Sequence, residues 1–309
     1  MLILDGDTVH ELLPYPALVA ALRDAHRAAS PEFAAVVAAD PTGGPNTFLA
    51  LTAWAPHDVI AAKLVSVFPG SPVSVQGLVV LFDGVDGSVR LVADGAAMTF
   101  RKTAADSALG VSLLARDDAE VLLVVGAGGL APHVIAAHTS VRPSLNTVLV
   151  WNRTAERAAA VAAAVPGAQA VTDLDAAVAA ADVISCVTMA TEPLVRGELL
   201  RPGTHLDLIG SFTPEMRECD DVALRRGTLF VDTRTGLERS GEIHHAQASG
   251  PLEIRGDLFE LCRGTVAGRT ARAEITVFKN VGGAHLDLFT ARHLLCCAEL
   301  HRKSGPGTR

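Results

Sequence analysis

The sequence predicts a two-domain α/β protein, with a parallel sheet domain inserted in a mixed α+β domain, and three observations carry that prediction. From Val121 onward, short apolar runs alternate with helical stretches, the pattern of a parallel sheet with crossover helices. One of those runs ends in a glycine-rich turn that opens a helix. From Thr47 to Ala93 the pattern differs: β-rich runs follow one another with turn residues rather than helices between them, as in a small, largely antiparallel sheet. In chain order, PYPALVAALRDAHRAA sets Leu18, Ala21, Leu22 and Ala25 at helical spacing, with Arg23 and Asp24 off that face. The runs FLALTAW, VIAAKLVSVF, GLVVLF and SVRLVA occupy Thr47 to Ala93, with DGVDG as the turn between the last two. A helix from Ala97 to Leu114 leads into VLLVVG, then TVLVW, ADVISCVT, THLDLIG and TLFVD. After a glycine-containing segment over 241–269, EITVFKN reads as a further strand and Gly283 to Leu300 as a final helix. The expected domains are 115–275 for the parallel sheet, and 1–114 plus 276–309 for the other.

Composition narrows the class of function. The chain has 309 residues, 49% hydrophobic and 19% charged, enough for two cores and unlike a disordered chain. A net charge of −8, no basic block and a single Tyr argue against nucleic acid as a partner and for a small-molecule ligand. No run of roughly 18 uncharged apolar residues occurs, and Asp5, Asp7 and Glu11 interrupt the start, so no membrane span or signal peptide is read and a cytoplasmic protein is expected. The five cysteines lack CxxC spacing and are expected to be reduced.

In VLLVVGAGGLAPHVIAAH the strand runs into Gly126, Ala127, Gly128, Gly129, Leu130 and Ala131, a GxGxxA fingerprint in strand-turn-helix context. This predicts a Rossmann domain binding NAD(H) or NADP(H). Gly126 permits the turn, Gly128 lets backbone approach the pyrophosphate, and Ala131 allows close helix packing. The second strand ends at Asn152, Arg153 and Thr154, where an NAD site would carry an acid for the adenosine ribose. With no acid to repel a 2′-phosphate, NADP(H) is favoured over NAD(H); the alternative has Arg153 stacking on adenine or facing solvent.

Lys63 sits in the apolar run VIAAKLVSVFP, where a buried ammonium needs an anionic partner or a shifted pKa; the alternative is a lysine that snorkels at a strand edge. Arg101, Lys102 and Thr103 are placed near the start of a helix, where an anionic ligand would offset cations that oppose the dipole. No metal is expected: in GEIHH, the spacing of Glu242, His244 and His245 does not suit a helical ligand pair. Asp106, Asp207 and Asp287 are further candidate site carboxylates that could equally be structural.

AKLVSVFPG, MTFRKTAADSALG, VVGAGGLAPH, VLVWNRT, the stretch TEPLVRGELLRPGTHLDLIGSFTPEMRECDD and EITVFKNVGGAHLDLFTARHL together give a chain that resembles the ornithine cyclodeaminase and mu-crystallin family. Its closest resemblance there is to the reductases of cyclic imino acids, through GSFTPEMRE. The resemblance implies a homodimer whose mixed domain serves substrate binding and dimerisation. It implies that Lys63 is the active-site lysine, that Lys102 and Thr103 contact cofactor phosphate or substrate, that Lys279, Val281 and Gly282 lie near the nicotinamide, and that Thr188 lies in a cofactor loop. Two departures stand out. Phe212 occupies a place where cyclodeaminases carry Asp, which disfavours the lyase reading and makes Phe212 a candidate substrate-binding residue, as an apolar wall that keeps water from the imine. The Arg that grips the substrate carboxylate is absent, with Phe33 in its region, so Lys63, Lys102 or Arg101 is left to take that role. The expected activity is reduction of a cyclic imino acid, pyrroline-2-carboxylate or piperideine-2-carboxylate, to an L-amino acid with NAD(P)H. The competing readings are an ornithine cyclodeaminase-like NAD-dependent lyase and a crystallin-like protein that binds NADP without catalysis.

Overall fold

The computed structural model describes residues 1–304. Its elements, in chain order, are β1 (Leu2–Leu4), α1 (Gly6–Leu12), α2 (Tyr15–Ala25), β2 (Glu32–Ala39), β3 (Thr47–Ala55), β4 (Val59–Val67), β5 (Val75–Asp83), β6 (Val89–Asp94) and α3 (Gly95–Leu114). Next come β7 (Val121–Val125), α4 (Ala131–Val141), β8 (Thr147–Trp151), α5 (Ala155–Ala164), β9 (Ala168–Val171), α6 (Leu174–Ala180), β10 (Val183–Cys186) and β11 (His205–Leu208). The chain then forms α7 (Asp221–Arg226), β12 (Thr228–Val231), α8 (Gly241–Ala248), β13 (Ile254–Asp257), α9 (Leu258–Arg263), β14 (Thr276–Lys279) and α10 (Ala284–Ser304). Two compact units result, Met1–Lys102 with the segment from Gly283, and Thr103–Gly282. Among the described residues no helix is long and apolar enough to cross a membrane.

The first unit is a six-stranded sheet in the order β1-β6-β5-β4-β3-β2, antiparallel except for the β1–β6 pair. The DGVDG turn closes the β5–β6 hairpin as its residues predict, the Asp83 carboxylate accepting the Val85 N–H at 2.9 Å and Gly87 taking φ +73°. Helix α10 packs on β4 and α2, burying Leu286, Leu288, Ala291 and Leu294, while α2 buries Leu18, Val19, Leu22 and Ala25. Strand period matters here: Val59, Ala61 and Lys63 alternate onto the buried face of β4, so the lysine is carried inside with its apolar neighbours.

The second unit is an eight-stranded sheet, β13-β12-β14-β11-β10-β7-β8-β9, parallel at every pairing. Leu123, Val125, Ile184, Cys186, Leu206, Leu208, Val231 and Val277 are wholly buried, the continuous apolar character expected of strands covered on both faces. Chain order reverses between β7 and β10, which creates a crevice beyond their carboxyl ends. Asp207 on β11 is fully buried: it accepts from Ser107 Oγ at 2.9 Å and Ser185 Oγ at 2.6 Å, and His138 Nε2 lies 3.2 Å away. That network gives this carboxylate a structural place rather than one in a site.

Several local expectations are corrected. Strands β1, β2, β9 and β13 escape the sequence reading; β2 is an alanine-rich run with every residue exposed, so it shows no alternation. Helix α3 starts at Gly95, which sets Arg101, Lys102 and Thr103 about two turns in and removes the helix-start argument for them. The unit boundaries fall after Lys102 and after Gly282, not at 114 and 275. The reason at the second boundary is β14, which pairs with both β11 and β12 inside the parallel sheet.

Candidate functional site

Gly126 takes φ +113°, and its N–H bonds the Trp151 carbonyl at 2.8 Å. A Cβ there would meet the Val187 carbonyl oxygen at 2.8 Å, so only glycine lets β7 turn so close to the end of β10. A Cβ on Gly128 would meet nothing within 4 Å, so this part of the turn is open to an approaching group. Ala131, buried at the start of α4, leaves room for the helix to sit tightly on the turn. A cavity of about 300 Å³ lies there, lined by Gly126, Ala127, Gly128, Asn152, Arg153, Thr154 and Thr188 of the predicted set. It is also lined by Trp151, Arg157, Val187, Met189, Ala190 and Leu194, which sequence reasoning missed. Open backbone at a helix start, two arginines and no lining acid fit a dinucleotide and its phosphates.

Asn152 bonds within the fold. Its Oδ1 accepts the Ala127 N–H at 3.2 Å and its Nδ2 donates to the Thr154 carbonyl at 3.0 Å, so it pins the glycine turn to the end of β8. On the other side of the crevice, the buried Glu218 carboxylate accepts from Thr188 N at 2.6 Å, Thr188 Oγ1 at 3.0 Å and Gly210 N at 2.7 Å. It thereby ties together the loops after β10 and β11. Burial pushes the Glu218 carboxyl up, with Lys279 opposing and Glu242 reinforcing the shift. No sequence motif exposes Glu218; only the fold returns RECDD to these loops.

In the first unit, Lys63 Nζ donates to Thr99 Oγ1 at 2.7 Å, and the Thr99 hydroxyl in turn donates to the Gly95 carbonyl at 2.6 Å. The ammonium is also 3.8 Å from Asp287 Oδ1, while Lys102 Nζ lies 2.6 Å from Asp287 Oδ2. All three side chains are buried. Asp287 stands in the first turn of α10, where the helix dipole favours a carboxylate. Two ammoniums face one carboxylate, so with all three ionised the cluster carries one uncompensated positive charge. Burial brings the Lys63 pKa down to about 8, with Asp287 raising it and Lys102 lowering it. Lys63 opens onto a cavity of about 240 Å³ lined otherwise by Val65, Val75, Gln76, Gly77, Gly95, Ala96, Thr99 and Phe100. That volume is below the roughly 300–1,000 Å³ of drug-sized ligand sites and suits a small molecule.

Other predicted residues are placed differently. Arg101 donates through Nε to His10 Nδ1 at 3.0 Å and through Nη2 to the His10 carbonyl at 2.8 Å, with its guanidinium 4.6 Å from the Tyr15 ring centroid; these bonds engage it within the fold rather than with a ligand. Lys279 is wholly buried on β14 with its ammonium 3.9 Å from Glu242, so its side chain does not line the cavity at Gly126. Val281 packs against the apolar core of the parallel sheet, and the Gly282 N–H donates to Asp232 at 2.8 Å, which fixes this segment by its backbone. Thr103 lies in α3, where its carbonyl accepts from Asn280 at 3.3 Å, and Gly129 and Leu130 complete the turn before α4. Phe212 is exposed on the loop after β11. In GEIHH, Glu242 points inside and accepts the Glu218 N–H at 2.6 Å while His244 is exposed, so the two side chains diverge.

Comparison with known proteins gives consistent results. Residues 43–295 match the model of the ornithine cyclodeaminase/mu-crystallin family. The chain is 42% identical over 288 residues to Delta(1)-pyrroline-2-carboxylate reductase of Paracoccus denitrificans, covering 89% of this chain and 90% of that protein. It is 36% identical over 244 residues to ketimine reductase mu-crystallin of Mus musculus, covering 77% of this chain and 76% of that one. Among solved structures, Delta(1)-pyrroline-2-carboxylate reductase of Thermococcus litoralis in complex with NADH and L-proline superposes with a TM-score of 0.88 at 26% identity, over 100% of both chains.

Proposed function

The chain belongs to the ornithine cyclodeaminase/mu-crystallin family, and from that membership we propose that it is an oxidoreductase that reduces a cyclic imino acid, pyrroline-2-carboxylate or piperideine-2-carboxylate, to the corresponding L-amino acid with a nicotinamide cofactor. The observation that carries the reading at the level of chemistry is the buried Lys63–Asp287–Lys102 cluster, whose surplus positive charge calls for one anion. The substrate carboxylate supplies it. This replaces the carboxylate-gripping Arg that the sequence lacks.

When bound, the cofactor supplies a hydride. The chain positions, protonates and shields. Gly126, Ala127 and Gly128 would hold the pyrophosphate by backbone, and Thr188, braced by Glu218, borders the same cavity. Lys63 as its ammonium either bonds the carboxylate or gives the imine nitrogen a proton, and a protonated imine accepts hydride far more readily than a neutral one. Thr99 accepts from Lys63 and so fixes its direction. Apolar walls from Val65, Val75 and Phe100 limit water at the imine, which is prone to hydrolysis. The test is oxidation of NADPH and NADH, followed by the reduced-nicotinamide absorbance, against pyrroline-2-carboxylate and piperideine-2-carboxylate, with ornithine assayed in parallel for ammonia release. Turnover of a cyclic imine is expected; inert imines with ammonia from ornithine would replace this reading with the lyase one.

The charged state of Lys63 sets a pH dependence. The folded pKa of about 8 lies below the unfolded value of 10.5, so the group loses its proton early in the native enzyme. We expect kcat/KM to be level below about pH 8 and to fall about tenfold per pH unit above it. Stability moves the other way at this group: between about pH 8 and 10.5 the unfolded chain holds more protons, so this contribution rises with pH. A pH–rate profile that stays level to pH 10 would remove Lys63 as the titrating acid.

We favour NADP(H) as the cofactor, because Arg153 and Thr154 border the cavity and no acid does. We also propose a homodimer. Strand β2 is an edge strand with Val36 64% and Val37 60% exposed, and a long apolar edge of this kind is normally covered. Light scattering is expected to give twice the chain mass; a single chain mass at micromolar concentration would exclude the dimer.

A further inference from the structure

Arg157 is absent from the fingerprint reasoning, yet it stands in the first turn of α5 and lines the same cavity as Arg153 and Thr154. Among the described residues no hydrogen bond or ion pair engages either guanidinium. Other exposed arginines of this acidic chain do reach carboxylates, Arg196 with Asp175 at 2.6 Å and Arg292 with Asp58 at 2.7 Å among them. Two unpaired cations at one rim repel each other, and a cation in the first turn of a helix also opposes its dipole. Glu156, between them, does not line the cavity, and no other acid does. The arrangement is unfavourable in the absence of a ligand and becomes favourable with a multiply charged anion at that rim.

We propose that Arg153 and Arg157 form a two-sided clamp for a phosphomonoester on the 2′ position of the adenosine ribose, with Arg157 a determinant of selectivity for the phosphorylated dinucleotide. The proposal rests on the NADP(H) reading above and adds to it a residue and a mode of recognition. A phosphomonoester carries a charge of about −1.5 to −2 near neutral pH and offers three acceptor oxygens. One guanidinium fork satisfies only part of that set; a second, approaching from α5, satisfies the rest and removes the repulsion between the two cations. The hydroxyl of Thr154, the N-cap residue of α5, is a further donor to the same group.

Calorimetric titration of the full-length protein with 2′,5′-ADP and with 5′-AMP tests this without turnover. The wild type is expected to bind 2′,5′-ADP at least about tenfold more tightly than 5′-AMP at low salt. Arg157→Ala should lose about tenfold in affinity for 2′,5′-ADP and leave 5′-AMP unchanged, and added salt should weaken the wild type more than the variant. Since Arg157 is exposed, an unchanged thermal unfolding curve should accompany the loss. If Arg153→Ala loses the discrimination while Arg157→Ala keeps it, the clamp is one-sided and the proposal falls while the NADP(H) reading stands. An equal loss for both ligands in Arg157→Ala also overturns the proposal, by placing the residue on the shared adenylate. A wild type that does not discriminate removes the NADP(H) reading and the clamp with it.

Discussion

Lys63→Met is expected to lower kcat/KM for the cyclic imine by about a thousandfold, combining loss of general-acid or carboxylate contact in a buried site with loss of orientation. The substitution keeps the length and apolar stem of the side chain. It also leaves a neutral Lys102–Asp287 pair at 2.6 Å, so the charge balance of the interior improves rather than worsens. A lysine whose pKa falls from 10.5 to about 8 destabilises the fold near neutral pH by about 3 kcal/mol, so the variant should be at least as stable as the parent. Denaturant midpoints and affinity for 2′,5′-ADP, the ligand proposed for the cavity at Gly126, should therefore be undiminished. Near-normal kcat/KM in a folded Lys63→Met enzyme would refute the assignment of Lys63.

Asp287→Ala has the opposite profile. It leaves the Lys63 and Lys102 ammoniums buried without their common carboxylate, and breaking a buried ion pair from one side costs about 3–5 kcal/mol. A large drop in the denaturant midpoint is expected. Asp287→Asn is the gentler probe because it keeps the shape of the side chain while removing its charge. Asp287 is the group that raises the Lys63 pKa against burial, so in Asp287→Asn the alkaline limb of kcat/KM should move below pH 8. Adding Lys63→Met to Asp287→Ala should recover part of the lost stability, because one unpaired ammonium remains in place of two. An alkaline limb that does not move in Asp287→Asn would show that Asp287 does not set the charge state of Lys63.

The sequence and the fold contribute unequally to these expectations. Strand VLLVVG, its turn at Gly126 to Ala131 and the helix beyond are consecutive in the chain, and their backbone requirements are written in residue types, so that half of the cavity at Gly126 was legible. The other half was not, because Val187, Met189 and Leu194 reach the cavity only when β10 pairs beside β7. Arg157 was not legible as a lining residue, because only the fold sets the first turn of α5 beside the glycine turn. Lys63 was conspicuous because an ammonium in an apolar strand is costly anywhere; what offsets that cost lay 224 positions away on α10, as Asp287.

Residue order alone therefore determined the α/β class, the glycine turn at Gly126, the absence of an acid just after β8 and the identity of the exceptional lysine, since each depends on neighbours within a few residues. Only the tertiary structure decided what each polar group faces. It gave Arg101 to His10 and Tyr15, Asp207 to Ser107 and Ser185, Lys279 to the interior beside Glu242, and Asp287 to the two lysines. The physical reason is that burial and charge pairing depend on distances through space. Strand pairing and helix packing set those distances between segments that the sequence keeps far apart.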